Sequence, residues 1–254
     1  MLSALKYEEF NWEVIGDFKM VAFLMGLQGG FTKFMCYLCL WDSRNTAIHY
    51  EQRHWPLRGS YEVGLHNVKY LPLVQPGKLL MPPLHIKLGL TKQFVNRLDP
   101  TGEAFLFIQN LFPKLSVAKV KAGVFIGLQV RRLIDSETFP TKLTRIEKKA
   151  WTSFVDVVRG FLGNHKVDNY RELVENLVDS YCRMGCRISL KLHVLHAHHD
   201  HFKSNMGDYS EEHGERFHQD IRSFEERYKG QYNENMMGDY IWNLLRHDNM
   251  TVFH

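Results

Sequence analysis

Residues 31–41 read FTKFMCYLCLW, and the pair Cys36-x-x-Cys39 inside this aromatic stretch decides how the chain is held together. The chain has four cysteines in all. Its opening, MLSALKYEEF, carries neither a basic n-region nor a cleavage site, so secretion is not expected and the thiols are expected to stay reduced. Reduced thiols at this spacing are metal ligands or redox pairs more often than disulfides, and the segment reads as a strand or a knuckle. Thiolate and imidazole are ligands that zinc prefers. The string HVLHAHHDH at 193–201 offers His193 and His198 with four residues between them, inside the H-x3–5-H window. A five-residue step does not align on one helical face, so the pair is expected at a strand-to-loop break. A structural Zn2+ on Cys36, Cys39, His193 and His198 then staples the front of the chain to its back. Two alternatives stay open: Cys182 and Cys186 replace the histidines in an all-cysteine site, or all four cysteines fill core space.

Outward from these ligands, 254 residues with 44% hydrophobic content suffice for a sizeable core, in one domain or one domain with an insertion. The longest apolar run, residues 20–27, is too short to cross a bilayer about 30 Å thick. NWEVIG at 11–16 alternates in strand fashion and ends at Asp17. Met20, Phe23, Leu24 and Leu27 then fit one helix face, with Gly29 and Gly30 as the stop. Residues 42–83 hold five prolines and little periodicity, which predicts irregular connection. A helix is expected after Pro83, another from Thr144 with Glu147 as a capping box, and a third from Asn169 with Glu172. RISLKLHVL at 187–195 alternates again and predicts a strand. The last helix is expected near Ser210, with Glu212 and Glu215 on its first turns and Phe217, Ile221, Phe224 and Tyr228 along one face. The fold class is α+β, mostly helical.

Two further patterns bear on chemistry. His196, His198, Asp200 and His201 spell HxHxDH, the metal-binding string of metallo-β-lactamase-like hydrolases, but the usual GG is missing and C-x-x-C stays unexplained. Asp17 at a strand end and Glu215 on a late helix form a carboxylate pair suited to divalent ions in phosphoryl chemistry. Helix capping by Asp17, and charge stabilisation of a helix start by Glu211, Glu212 and Glu215, account for them equally simply. The net charge is +4, and residues 114–149 carry nine Lys/Arg against three Asp/Glu. A DNA backbone track and solvated helix faces both explain that excess.

Taken in order, Asp17, Cys36-x-x-Cys39, Leu84-His85-x-x-x-Gly89, His193-xxxx-His198 and Glu215 resemble the DDE recombinases of the Transib transposase and V(D)J-recombinase catalytic-core type. That family runs metal-binding Asp, CxxC, LHxxxG, HxxxxH and metal-binding Glu. SEEHGE at 210–215 is similar to its SEExxE. The strings GDxK, CxxCxWDSR and EHGERFHQD, at 16–19, 36–44 and 212–220, also resemble those of transposon-like invertebrate proteins. The resemblance covers about residues 10 to 220.

It implies a partial RNase H-like core over residues 1–41, a large helical insertion over 42–186, and a closing segment, 187–254, with the histidine pair and the Glu-bearing helix. Asp17 and Glu215 become the second and third acidic ligands of catalytic Mg2+ or Mn2+, while zinc stays structural. His85 and Glu212 are expected near that site, although His85 reads equally as a satisfied core histidine. DNA is the implied partner, with a second copy of the chain as another, and neither membrane nor small-molecule cofactor is expected. A nuclear or cytoplasmic location follows. The family's first aspartate has no counterpart, since Glu8, Glu9 and Glu13 alone precede Asp17 as acids. The expectation is therefore a truncated recombinase core, inactive by itself. The alternative is a non-catalytic, zinc-stabilised DNA-binding or interaction protein derived from one.

Overall fold

The computed structural model describes residues 9–30, 32–210, 221–222, 224–229 and 234–251. It is α-rich, about 50% helical, and the described residues form two short strands. β1 (Val14–Ile15) and β2 (Leu79–Leu80) pair in parallel, Val14 with Leu79 and Ile15 with Leu80. β2 thus lies inside the stretch expected to be helical insertion. Each strand feeds a helix: α1 (Phe18–Leu24) follows β1, and α2 (Pro83–Val95) follows β2. Residues 42–78 are largely irregular, as their prolines require.

α1 differs from its expected form. It stops at Leu24 because Gly26 adopts φ +64° and packs where a Cβ would meet the Tyr70 carbonyl at 2.0 Å. The Gly26 carbonyl accepts bonds from Lys69 and Tyr70, and Leu27 joins Val68 in an antiparallel bridge. The buried face is also rotated. Val21, Leu24 and Met25 are inside, while Met20 and Phe23 are 49% and 67% exposed.

The helical body comprises α3 (Glu103–Leu111), α4 (Val117–Lys121), α5 (Gly127–Ile134), α6 (Arg145–Gly160), α7 (Tyr170–Arg183) and α8 (Leu190–Ala197). Thr144 and Glu147 form the expected capping box at α6, whereas the Asn169 side chain makes no capping bond at α7. α6 and α7 pack side by side, and Phe94, Phe139 and Phe154 surround Trp151 at 4.9–5.2 Å between ring centroids. Each such ring contributes about 1.5–3 kcal/mol by burial.

Residues 190–197 are helix rather than strand. Ser189 caps α8 by accepting from the Leu192 amide, and Leu192, His193, Val194 and Leu195 are consecutively buried. α8 packs against both α2 and α7, and enclosure on several sides removes the amphipathic signature that separates helix from strand.

The chain divides into compact units at residues 1–210 and 211–254. In the second, Ile221, Phe224, Met236 and Tyr240 form a small core involving the helix Glu234–Thr251. Glu212, Glu215 and Phe217, on which the expected last helix turned, lie outside the described residues. No described helix is long and apolar enough to cross a membrane.

Candidate metal centre

Cys36 and Cys39 sit on a knuckle with no regular strand, although Cys39 bridges Leu57 in antiparallel fashion. Leu40 donates to the Pro56 carbonyl and Arg58 to that of Leu38, so residues 38–40 and 56–58 brace each other. The Arg58 side chain fixes the loop more firmly. Its guanidinium donates to the carbonyls of Cys36 at 2.8 Å, Phe34 at 2.8 Å and His66 at 3.1 Å. Tyr61 adds a hydroxyl bond to the Tyr37 carbonyl. These contacts hold both thiols on the inner side of the turn.

His193 projects from α8, and His198 is the residue that ends it, with φ −130° and ψ 28°. The five-residue step is resolved by a helix-to-loop break, because His198 leaves the helical path while its amide still bonds the Val194 carbonyl. Cys39 Sγ lies 3.2 Å from His193 Nε2 and 3.3 Å from His198 Nε2, and Cys36 Sγ lies 3.5 Å from His198 Nε2. All four donor atoms fall within 4.8 Å of one another, and all four residues are buried. They are placed to hold a metal ion. A tetrahedral ion with bonds of about 2.3 Å to sulfur and 2.0 Å to nitrogen separates neighbouring S and N by about 3.5 Å, so the spacing fits.

The electrostatics point the same way. Burial opposes ionisation of Cys36, but hydrogen bonds from Cys39, His193 and His198 outweigh it and hold this thiol well below its usual range. Cys39, bonded to that thiolate and itself buried, is pushed up. Burial pushes His193 down, towards the neutral imidazole that coordinates metals. A dication bound by these four residues would supply the charge that lets both sulfurs ionise together.

Aromatic rings close the site. Trp41 stacks on His193 at 4.6 Å and 7°, and Trp55 meets the same ring edge-on at 6.5 Å. The neighbouring Asp42 accepts from the Arg44 amide and pairs with Lys33 at 3.3 Å, while Ser43 donates to the Thr32 carbonyl. The WDSR string thus maintains the knuckle. Sequence reasoning missed Arg58 and Trp55, which stand 19 and 16 residues beyond Cys39 and carry no motif.

Other cysteines and histidines point elsewhere. Cys182 is exposed; Cys186 is buried, donates to the Gln93 carbonyl, and is pushed up to about 12 by burial. The all-cysteine arrangement is therefore not formed. Of the HxHxDH string, His196 pairs with Glu175 at 3.1 Å and Asp200 with Arg171 at 2.9 Å, while His198 faces the cysteines.

Asp17 lies two residues past the end of β1, and His85 five residues past the end of β2. Asp17 follows β1 and caps α1, accepting from the Met20 amide at 2.7 Å. His85 is the third residue of α2, after β2. Glu212 and Glu215 lie outside the described residues, and among the described residues the Cys/His group is the one cluster suited to a metal. Arg131 and Arg132, from the basic stretch, line a groove of about 520 Å3 with Leu111 and Leu128.

Two family models match the chain. DUF8703, a domain of unknown function, matches residues 1–74, and DUF8704, also a domain of unknown function, matches residues 83–163. No curated protein and no solved structure matches. Cys36 and Cys39 fall within the first match, and His193 and His198 lie beyond both, so the metal centre joins the first match to the chain downstream of the second.

Proposed function

We propose that this chain is a zinc-stapled, RNase H-like core of the DDE-recombinase type that binds DNA in the nucleus and does not cut it by itself. The observation that carries the reading is the convergence of Cys36 and Cys39 on His193 and His198 across 154 to 162 residues. A site whose halves lie so far apart ties the strand-bearing front to the end of the helical body, as the resemblance implies. Two thiolates and two imidazoles select zinc among common divalent ions, and a closed, buried four-donor set is structural. Asp17, two residues past the end of β1, is the matching acidic position.

The divalent site for phosphoryl chemistry is less complete. Asp17 spends one carboxylate oxygen on capping α1. Among the described residues, β1 has one neighbour, β2, whose two residues are leucines, so that neighbour offers no second carboxylate. Glu13 is engaged by Lys203. Mg2+ or Mn2+ chemistry requires several oxygen donors, and among the described residues the neighbour of β1 adds none to Asp17; Glu212 and Glu215 lie outside those residues. This supports the second reading, a DNA-binding protein that has kept the recombinase scaffold without its activity.

The test is a Mn2+-dependent nicking assay on supercoiled DNA, run beside a binding assay on a labelled duplex. The expected result is binding without nicking. Nicking abolished by both Asp17→Ala and Glu215→Ala establishes an enzyme instead, and absence of binding at low salt removes DNA from the reading. X-ray absorption should give two sulfurs per zinc; a shell of nitrogen and oxygen alone supports a metallo-hydrolase.

A further inference from the structure

On α2, His85, Gly89 and Lys92 are spaced i, i+4, i+7 and share one face. The Lys191 side chain, from the first turn of α8, lies directly across this face. A Cβ on Gly89 would fall 2.0 Å from Lys191 Cδ and 3.0 Å from both Cε and Nζ. Gly89 is thus a saddle that lets the lysine pass over α2. A helix-interior glycine costs about 1 kcal/mol relative to alanine, so the saddle has a stability cost that the lysine's position must justify.

Asp17 and Lys92 both act electrostatically on Lys191. Lys191 is half-buried, yet its ammonium forms no ion pair or hydrogen bond with any described residue. Asp17 meanwhile directs an oxygen to the Met20 amide. Lys92, one turn along α2 from Gly89, puts a second lysine on the face that Lys191 crosses. Lysines that only solubilise a surface point into water, whereas Lys191 is drawn across a neighbouring helix, with a glycine there to admit it.

We propose that Lys191 and Lys92, positioned by Gly89, form a seat for a phosphodiester group of bound DNA beside Asp17. The idea rests on the DNA reading above and adds to it a location and the residues responsible. A phosphodiester carries one negative charge over two free oxygens, which two ammonium donors satisfy together. Asp17 repels a second phosphate and so confines the backbone to the lysine side.

The experiment uses the full, zinc-loaded chain and a fluorescein-labelled 20-base-pair duplex, with anisotropy read over a series of salt concentrations. Lys191→Met is expected to weaken binding roughly 5- to 10-fold and to lower the slope of log K against log salt by about 1, as for one lost phosphate contact. Gly89→Ala should reproduce that loss with all lysines present, because its methyl displaces the Lys191 stem. The double variant should bind no worse than Lys191→Met alone, since both changes remove one contact. Melting temperature and zinc content should remain those of the parent in Lys191→Met. If the parent binds DNA while Lys191→Met and Gly89→Ala match it in affinity and slope, the seat is refuted and the DNA reading stands. If the parent fails to bind at any salt concentration, the DNA reading falls and the seat falls with it.

Discussion

The Cys/His centre and the Asp17 corner lie in the same compact unit but are built on opposite terms. The centre brings four donors within 4.8 Å, buries them, braces their loop with Arg58 and covers a ligand ring with Trp41. At the Asp17 corner a half-buried carboxylate follows a two-residue strand, bonds one amide and acts on the charge of Lys191, which has no partner among the described residues. The contrast separates sites that a chain can preorganise by itself from those it cannot. Imidazoles and thiols are compatible with a packed interior and hydrogen-bond to one another, so a fold can gather four of them in one buried place. Carboxylates repel one another and favour water, so their cluster depends on a rigid sheet and a cation.

The largest expected effect is loss of the metal. Cys36→Ser or His198→Ala should remove at least about 5 kcal/mol of folding free energy, given apparent values of roughly 10–16 kcal/mol for structural zinc in small domains. For a unit of this size that lowers Tm by more than about 10 °C. A chelator should do the same to the parent, and equal melting with and without it removes the contrast at its stronger end.

Arg58→Met should come next. It leaves the carbonyls of Cys36, Phe34 and His66 without a charged donor, costing about 2–3 kcal/mol. Zinc affinity should fall about 10- to 100-fold, as when groups supporting metal ligands are removed. Unchanged affinity in a competition titration means that the knuckle holds its shape without the arginine.

Asp17 tests the weaker corner. Asp17→Ala should cost about 1 kcal/mol through the lost cap, whereas Asp17→Asn keeps the cap and should melt within about 0.5 kcal/mol of the parent. By paramagnetic relaxation the parent should show no tight Mn2+ binding; binding that both variants lose makes the corner a metal site after all.

The smallest effect is expected for Cys182→Ser. An exposed residue outside both sites should change stability by less than about 0.5 kcal/mol and leave zinc stoichiometry intact. Zinc loss in this variant shows that the fourth ligand has been misassigned.

Reading the sequence succeeded where a residue's chemistry was restrictive. Thiolate spacing and imidazole spacing named all four donors, and Thr144 with Glu147 named the start of α6. It failed where burial overrode pattern. The alternation at 187–195 looked like a strand because α8 is enclosed by α2 and α7, so its polar positions no longer mark one face. In α1, Met20 and Phe23 looked like core but are exposed, because Gly26 redirects the chain towards Tyr70 and the helix buries Val21, Leu24 and Met25 instead. Gly89 was legible as a letter of a motif but not as a saddle, since the side chain crossing it belongs to a helix 102 residues away.

Residue chemistry and local backbone rules were enough to establish that sulfur and nitrogen donors stand at metal-binding spacings, that residues 42–78 are largely irregular, and where several helices begin. These features follow from bond chemistry and from steric restrictions that act within a few residues. Long-range packing alone settled that His193 lies on a helix, that β1 takes β2 as its parallel neighbour, that Arg58 clamps the knuckle, and that Lys191 crosses α2 at Gly89. Each of these depends on side chains far apart in sequence sharing one small volume, where close packing and unmet hydrogen bonds select the arrangement.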